Sequence, residues 1–265
     1  MSFLGFNGKN YLLFGVANKK SVAYHIADII RQEGGNLFLS VQDDVKKTAT
    51  EKLFPDAKVY ICNVSDESDV TKLAGDIRGV AGTIHGIVHS VAYANFSEGI
   101  KSFHETVKKD FQEALDISCF SLITIANAFK EIIDKKGSVV TISISTTRMA
   151  SENYGYMAPI KAALDSSIVF LAKSFSHFSE VRFNSVGPGL LKTSASAGIP
   201  GYVDSYLYAQ NMTLRKRAVE TREAANVAVF LLSEASSGVT TQKIVVDGGM
   251  DTNYFDKDAI KKSLK

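Results

Sequence analysis

The sequence predicts an α/β protein built on a doubly wound parallel sheet of about seven strands, with helices on both faces. Short apolar segments alternate with stretches of helical periodicity along nearly the whole chain. Several apolar segments are continuous rather than alternating, as in strands that are buried on both faces. Strands that alternate with helices form βαβ units, so the pattern indicates a Rossmann-type fold.

Each predicted element has its own signal in the sequence. The predicted strands are Tyr11–Phe14, Asn36–Ser40, Lys58–Cys62, Gly86–His89, Ser138–Ser143, Val181–Ser185 and Lys243–Val246. The predicted helices lie near residues 22–34, 67–80, 109–134, 154–178 and 221–233. In the first helix Ala23, Ile26 and Ile30 recur at helical spacing, and Gly34 follows as a stop signal.

Length and charge bound the class of protein. A chain of 265 residues suits one doubly wound domain, and no linker or repeat divides it, so we expect a single domain over residues 1–265. A net charge of +2 gives no reason to expect nucleic acid or a membrane surface as partner. The chain has neither a signal-peptide pattern nor an apolar run that could span a bilayer, so we expect a cytoplasmic protein.

The two cysteines give no sign of a disulfide or a metal site. Cys62 and Cys119 lie in apolar or helical segments, without the spacing of metal ligands. We therefore expect buried, reduced thiols and no metal ion.

The first predicted strand leads into a turn of small residues that suits a dinucleotide. Gly15 stands at the turn, Ala17 follows, and Ser21 and Val22 open the next helix, with Ser21 as a candidate N-cap. The free N–H groups and the dipole of a helix N-terminus favour a pyrophosphate. The GxGxxG pattern is absent, so an ordinary capped turn is the other interpretation.

The residues after the second strand bear on the choice between NADH and NADPH. Gln42 can bind ribose hydroxyls but offers no charge to a 2′-phosphate, which Asp43 and Asp44 would repel. Lys46 and Lys47 could attract that phosphate, but they lie further along the chain. The pattern therefore favours NADH, with NADPH as the alternative. Two residues after the third strand would flank the adenine, namely Asn63 and Val64.

A tyrosine and a lysine in the stretch 141–165 form the candidate catalytic pair. Tyr154 lies seven residues before Lys161, nearly two helical turns, so on one continuous helix the two would share a face. Tyr156 would point away from Lys161, and Pro159 could disturb the first turn of the helix. A packed tyrosine and a solvated lysine are the alternative interpretation.

The spacing of this pair is the first point of a family resemblance. With six residues between Tyr154 and Lys161, the chain resembles the enoyl-acyl-carrier-protein reductases, a branch of the short-chain dehydrogenase/reductase superfamily. Most of that superfamily uses Tyr-x-x-x-Lys, where this chain has Met157 in place of the tyrosine. Other similar segments follow in the same order along nearly the full length. They are Gly15–Ala23, His89–Ala94, Asp116–Ser121, Asn153–Leu164, Ser236–Val239 and Val246–Gly249.

The resemblance implies NADH-dependent reduction of the double bond of a trans-2-enoyl thioester, held on acyl carrier protein, in fatty acid synthesis. Negative charge would develop on the thioester oxygen, and the Tyr154 hydroxyl would stabilise it before the enolate is protonated. Lys161 would hold the nicotinamide ribose hydroxyls and lower the cost of charge on the phenol.

The resemblance also implies further contacts to cofactor and substrate. The cofactor would contact Ser90, Val91, Ala92, Leu191 through its backbone, and Thr193. The substrate would contact Tyr93, Tyr154, Ile199 and Tyr202. The apolar stretch 195–208 would belong to a lid near residues 195–215, with a surface-packed helix as the alternative. The segment Asn184–Thr193 should follow the sixth strand, with a tight turn at Gly187–Gly189.

Three features depart from the family pattern. Ile144 stands ten residues before Tyr154, where bacterial members typically carry a second tyrosine. The segment Asn184–Gly189 reads more like an ordinary short-chain reductase, and residues 199–204 lack the basic side chains that would dock an acidic carrier protein. These departures leave two alternatives open: a short-chain carbonyl reductase or alcohol dehydrogenase of unknown substrate, and a non-catalytic dinucleotide-binding protein.

Superfamily members commonly form tetramers, so the resemblance also predicts a homotetramer. Two predicted helices carry apolar residues that are numerous enough to face a second subunit. These residues are Phe120, Leu122, Ile123, Ile125, Ile168, Val169, Phe170 and Leu171. Burial in the core of one subunit explains them equally well.

Overall fold

The computed structural model describes residues 3–151, 154–193, 196 and 201–263. The strands are β1 (Asn10–Phe14), β2 (Asn36–Val41), β3 (Lys58–Ile61), β4 (Ile84–His89), β5 (Ile133–Ile142), β6 (Arg182–Pro188) and β7 (Lys243–Val246). They form one parallel sheet in the order β3-β2-β1-β4-β5-β6-β7. The order reverses between β1 and β4, the point at which open α/β sheets bind their ligands.

Helices cover both faces of this sheet. They are α1 (Val22–Gln32), α2 (Asp44–Leu53), α3 (Glu67–Ala81), α4 (Lys108–Leu115), α5 (Ser121–Phe129), α6 (Met157–Phe175), α7 (Tyr202–Met212), α8 (Thr221–Leu232) and α9 (Lys257–Ser263). Helices α1 and α8 pack on one face, and α3, α5 and α6 pack on the other. Within the described residues, no helix is long and apolar enough to cross a membrane.

Each face of the sheet has its own apolar core. Leu12 and Leu13 are neighbours on β1 and both are fully buried, yet they belong to different cores. Leu12 packs among residues of α3, α5 and α6, such as Leu164, whereas Leu13 packs among residues of α1 and α8, such as Ile26. Side chains alternate along a strand, so only a continuous apolar run can fill both cores. The predicted fold class is therefore confirmed.

The predicted helix at 109–134 is divided in the structure. A π-helical turn at Asp116–Phe120 joins α4 to α5, and β5 begins at Ile133, inside the predicted range. In this π turn Ser118 and Cys119 are buried, and the Cys119 thiol contacts the Ser167 hydroxyl of α6. Both Cys62 and Cys119 are free and buried, as expected.

The prediction for the segment after the sixth strand is wrong. Strand β6 runs to Pro188, so Gly187 and Pro188 belong to the strand and not to a tight turn. A Cβ on Gly187 would lie 3.0 Å from the Ile144 carbonyl oxygen, so glycine allows this part of the strand to approach its neighbour closely. Pro188 occupies the last position of the strand, and its carbonyl accepts from the Ser145 N–H at 2.8 Å.

Candidate active site

The predicted site residues gather at the carboxyl ends of the strands. Gly15 follows β1, Gln42 follows β2, Ser90 follows β4 and Leu191 lies just beyond β6. Because the strands are parallel, these ends lie at one edge of the sheet, beside the reversal of strand order between β1 and β4. The fold thus brings together residues that are far apart in the sequence.

The turn after β1 requires glycine. Gly15 has φ of +90°, and a Cβ at this position would lie 2.0 Å from the Ser90 carbonyl oxygen. The Gly15 N–H donates to the Ser40 carbonyl at 3.3 Å, and the Ser90 N–H donates to the Phe14 carbonyl at 3.2 Å. A side chain would push apart the backbone of β1 and the segment after β4, so the close approach itself depends on glycine.

The first turn of α1 is capped by a side chain and carries no acidic group. Ser21 is its N-cap, as predicted: the hydroxyl accepts from the Tyr24 N–H at 3.2 Å and donates to the Asn18 carbonyl at 2.8 Å. The first turn, all of it among the described residues, has no acidic side chain to neutralise the helix dipole. Val22 is buried, whereas Ala17 is exposed beside the turn.

Lys46 lies closer to the end of β2 than the sequence suggested. It lies in the first turn of α2, and its ammonium reaches back to the Gln42 Oε1 at 3.0 Å and the Asp43 carboxylate at 2.6 Å. The hydrogen bonds from Lys46 hold the pKa of the Asp43 carboxyl below its usual value. The lysine charge is therefore balanced by Asp43 at the position where the two dinucleotides would differ.

The residues after β3 are held by local hydrogen bonds. The Asn63 amide oxygen accepts from the backbone N–H and the hydroxyl of Ser65, at 3.3 and 2.9 Å. The Asn63 N–H donates to Asp69 at 3.1 Å. Asn63 is exposed and Val64 is half-buried against the core, so both stand at the same sheet edge as Gln42.

Lys161 is not a solvated lysine. It lies on α6 with 3% of its surface exposed, and its ammonium donates to the carbonyl oxygens of Val91 at 3.1 Å and Ile142 at 2.9 Å. Burial lowers the pKa of Lys161 to about 8, and the carboxylate of Asp165 opposes this change. An ammonium has three N–H donors, and the described residues accept two of them.

Tyr154 and Lys161 do not share one continuous helix, so that prediction is wrong. Helix α6 begins at Met157, and Tyr154 precedes it in a turn where Gly155 has φ of +52°. Pro159 falls in the first turn of α6, where a missing N–H costs nothing, so it does not disturb the helix. The distance between the two functional groups is thus set by the turn, and not by helical periodicity.

The surroundings of Tyr154 keep its phenol protonated. The side chain packs against the core, and burial raises the pKa of the hydroxyl far above its usual value, with the nearby Tyr202 hydroxyl adding to the effect. Tyr202 begins α7 and donates to the Leu191 carbonyl at 2.7 Å. The structure therefore places Tyr154 near Tyr202, and its half-buried neutral phenol has a proton that it can donate there in a hydrogen bond.

The segment around Leu191 is partly described. The Leu191 carbonyl also accepts from the Ser196 hydroxyl at 2.8 Å, and the Thr193 N–H donates to the same hydroxyl at 2.9 Å. The predicted substrate residue Ile199 lies outside the described residues, together with positions 194–195, 197–198 and 200 of the expected lid.

The segment after β4 is held by side chains from the helices beneath it. The Ser118 hydroxyl accepts from the Tyr93 N–H at 2.9 Å and donates to the Tyr93 carbonyl at 3.1 Å, while the Tyr93 ring is partly exposed. The Tyr156 hydroxyl accepts from the Asn95 N–H at 3.0 Å and donates to the Asn95 carbonyl. Sequence reasoning assigned no role to Tyr156, because its partner is remote in the sequence.

Sequence reasoning also missed an ion pair that involves α6, the helix of Lys161. The Lys243 ammonium on β7 lies 3.0 Å from the Asp165 carboxylate on α6, and the Ser185 hydroxyl donates to the same carboxylate at 3.0 Å. Asp165 follows Lys161 by four residues, a helical spacing that could have indicated it. Nothing local in the sequence indicates Lys243.

Comparison with protein families and curated proteins gives consistent matches. A family model described as enoyl-(acyl carrier protein) reductase matches residues 15–251. The chain is 31% identical over 254 residues to the NADH-dependent enoyl-acyl-carrier-protein reductase FabI of Nostoc sp., covering 94% of this chain and 98% of that protein. It is 31% identical over 258 residues to the NADPH-dependent FabI of Staphylococcus aureus strain MRSA252, covering 93% and 98%.

Solved structures give the same result. The enoyl-acyl-carrier-protein reductase (NADH) of Aquifex aeolicus superposes with a TM-score of 0.90 at 27% identity, covering 95% of this chain and 99% of that chain. The Bacillus cereus enoyl-acyl carrier protein reductase with NADP+ and indole naphthyridinone superposes with a TM-score of 0.89 at 27% identity, covering 93% and 98%.

Proposed function

Because this chain belongs to the enoyl-acyl-carrier-protein reductase family, we propose that it reduces the double bond of a trans-2-enoyl thioester with NADH, as a step of fatty acid synthesis. One observation carries the proposal beyond the family. A protonated, half-buried phenol at Tyr154 stands just before α6, and the buried ammonium of Lys161 lies at the carboxyl edge of the sheet, bonded to the segment after β4 that adjoins the turn of Gly15.

The residues at this edge fit a dinucleotide. When bound, NADH would supply the hydride. The close turn at Gly15 and Ala17 and the free N-terminus of α1 at Ser21 and Val22 would receive the pyrophosphate, since the helix dipole there is not neutralised. The adenosine half would lie along the ends of β2 and β3. Its partners there would be Gln42, Asn63 and Val64.

The nicotinamide half would lie over the ends of β4 and β6. The backbone of Ser90, Val91 and Ala92 would line one side, and Leu191 and Thr193 the other. Lys161 would hold the ribose hydroxyls with the N–H that the Val91 and Ile142 carbonyls leave free.

Tyr154 would act on the substrate. Hydride addition at the β-carbon places negative charge on the thioester oxygen, and the Tyr154 hydroxyl would donate a hydrogen bond to that oxygen. The α-carbon of the enolate would then take a proton from water, which completes the saturated thioester. The ammonium of Lys161 would make negative charge at this position less costly, and the raised pKa of Tyr154 suits a donor rather than a base.

The surroundings of Gln42 support NADH over NADPH. A 2′-phosphate would meet the exposed Gln42 amide and the carboxylate of Asp43, while the Lys46 ammonium is already paired with Asp43. Relatives of both cofactor types match this chain equally well, so the preference rests on these residues.

The finer assignments complete the proposal. The thioester would be carried by acyl carrier protein and would contact Tyr93, Ile199 and Tyr202 beneath a lid near residues 195–215. The chain would act in the cytoplasm as one domain, within a homotetramer. Of the apolar residues named for that contact, Leu122, Ile125, Ile168 and Leu171 are buried and Ile123 is half-buried, whereas Phe120, Val169 and Phe170 are exposed. The exposed members, in the π turn that leads into α5 and on α6, support a subunit contact there.

Oxidation of NADH by the purified protein tests the proposal. We expect turnover with a trans-2-enoyl thioester and none with a panel of ketones and aldehydes, and we expect Tyr154→Phe to lower kcat at least about a hundredfold. The matched control is Tyr254→Phe, because the Tyr254 ring is fully exposed. Turnover of carbonyl compounds alone would instead support a carbonyl reductase, the alternative that Ile144 favours.

A further inference from the structure

In the proposed function Lys161 acts as an ammonium, although its burial disfavours the charged form. Its side chain is buried and its two described hydrogen bonds go to neutral carbonyl oxygens, those of Val91 and Ile142. Neutral acceptors only partly replace the water that a buried ammonium loses. A nearby carboxylate is the kind of group that keeps such an ammonium protonated.

Among the described residues, the ionisable groups that face Lys161 come from three elements. His89 on β4 is fully buried between the Thr141 and Ser121 hydroxyls, at 2.8 and 2.9 Å, and burial keeps its ring neutral by lowering its pKa to about 3. Cys119 in the π turn is a thiol whose pKa is raised by burial. Asp165 is the third group, one turn along α6. Of these three, Asp165 alone carries a charge at neutral pH.

Asp165 is fixed from two sides. The Ser185 hydroxyl of β6 and the Lys243 ammonium of β7 each lie 3.0 Å from one of its oxygens. Its side chain is 15% exposed and that of Lys243 is 20% exposed, so the ion pair is largely shielded from water. The Lys243 ammonium also donates to the Thr147 hydroxyl at 2.8 Å, in the segment that leads to Tyr154.

We propose that Asp165 and Lys243 are positioning residues for the reductase site, in which Asp165 keeps Lys161 charged while Lys243 fixes Asp165 and the segment at Thr147. Neither residue needs to touch substrate or cofactor. The consequence for catalysis rests on the function proposed above, whereas the effect on the charge of Lys161 does not. Two charged residues from different elements would thus set the pH range over which Lys161 can hold the ribose.

The charge of Lys161 can be measured directly. We would label the lysine side chains of the full-length protein with ¹³C, assign the Lys161 signal by its loss in Lys161→Met, and follow it against pH. In the wild type we expect a midpoint near 8. Asp165→Asn should lower that midpoint by about one pH unit, because the opposing charge is lost and Lys243 remains as an unbalanced cation.

Removing the charge of Lys243 should shift the midpoint of Lys161 in the opposite direction. Lys243→Met removes a cation that shares the Asp165 carboxylate, so the midpoint of Lys161 should rise, by less than Asp165→Asn lowers it. The conservative variants Asp165→Glu and Lys243→Arg should keep the midpoint near that of the wild type. If the two residues had only a structural role, Asp165→Asn and Lys243→Met would shift the midpoint of Lys161 in the same direction. If Asp165→Asn does not fold, Lys243→Met alone still tests the sign.

Binding of NADH extends the test to the site. Affinity would be measured by fluorescence on either side of the wild-type midpoint near 8. From the lower to the higher of these two pH values, the affinity for NADH should fall several-fold more in Asp165→Asn than in the wild type. An unchanged midpoint in Asp165→Asn, or shifts of the same sign in Asp165→Asn and Lys243→Met, would overturn the proposal. If the midpoint of Lys161 shifts as expected but the protein does not reduce enoyl thioesters, the proposed function would be overturned instead.

Discussion

At the scale of single residues, the Tyr156 hydroxyl connects helix α6 to the segment that follows β4. It uses both its donor and its acceptor function on the backbone of Asn95, while its ring packs against Phe96 and Phe111. Ser90, Val91 and Ala92, the proposed cofactor contacts, precede Asn95 in the same segment. The hydroxyl therefore holds in place a backbone that a cofactor would touch.

Tyr156→Phe should separate positioning from chemistry. The variant keeps the ring contacts and leaves the Asn95 N–H and carbonyl without their partner, so we expect a loss of about 1–2 kcal/mol in the free energy of unfolding. The KM for NADH should rise several-fold with a smaller change in kcat, measured by steady-state kinetics. A fall in kcat as large as that of Tyr154→Phe would mean that Tyr156 acts in the chemical step and not only in positioning.

At the scale of elements, helix α8 begins in a cluster of charges. Glu223 accepts from both terminal nitrogens of the Arg215 guanidinium at 2.6 Å, and one of its oxygens also accepts from the Glu220 N–H at 2.8 Å. These hydrogen bonds, with that from Arg215 first, lower the pKa of Glu223 to about 2. The pair fastens the loop after α7 to the start of α8.

The acid stability of the protein should depend on Glu223. A carboxyl whose pKa is lower in the folded state stabilises the fold above its unfolded value near 4.5, and that stabilisation is lost as the pH falls towards 2. Glu223→Gln should therefore cost about 1 kcal/mol at neutral pH and nothing near pH 2, measured by urea unfolding. The control is Glu51→Gln, whose exposed oxygen lies 4.0 Å from Lys47. An equal loss at both pH values would contradict the ion-pair explanation.

The same scale shows which elements the sequence can predict. The strands follow from their apolar runs, because Leu12 and Leu13 must fill two cores. Helix α2 was not predicted, because only Thr50 is buried along it and it has no apolar stripe. The end of β6 was predicted as a turn from Gly187 and Pro188, although close packing against Ile144 is the reason for the glycine.

At the scale of the whole molecule, the sequence indicated which residues form the site better than how they are held. Gly15, Tyr154 and Lys161 stand at one edge because parallel strands share their carboxyl ends, which the βαβ pattern predicts. The supports of that site join residues that are distant in the chain, such as Asp165 and Lys243. No periodicity or spacing links such pairs, so only the folded chain reveals them.

The outer surface of α5 and α6 carries the last prediction, which concerns assembly. Phe170 is 73% exposed and lies beside the exposed Val169 on α6, and Phe120 is exposed in the π turn that leads into α5, so this surface presents apolar side chains to solvent. Burying one phenylalanine side chain contributes about 1.5–3 kcal/mol. In a homotetramer that uses this face, Phe170→Glu should weaken association about tenfold or more, measured by light scattering over a dilution series. Val45→Glu is the matched control, because Val45 is 81% exposed and lies on α2, which packs against β3 at the edge of the sheet. A wild type that is monomeric at every concentration would contradict the predicted tetramer, and a tetramer unchanged by Phe170→Glu would move the contact to another surface.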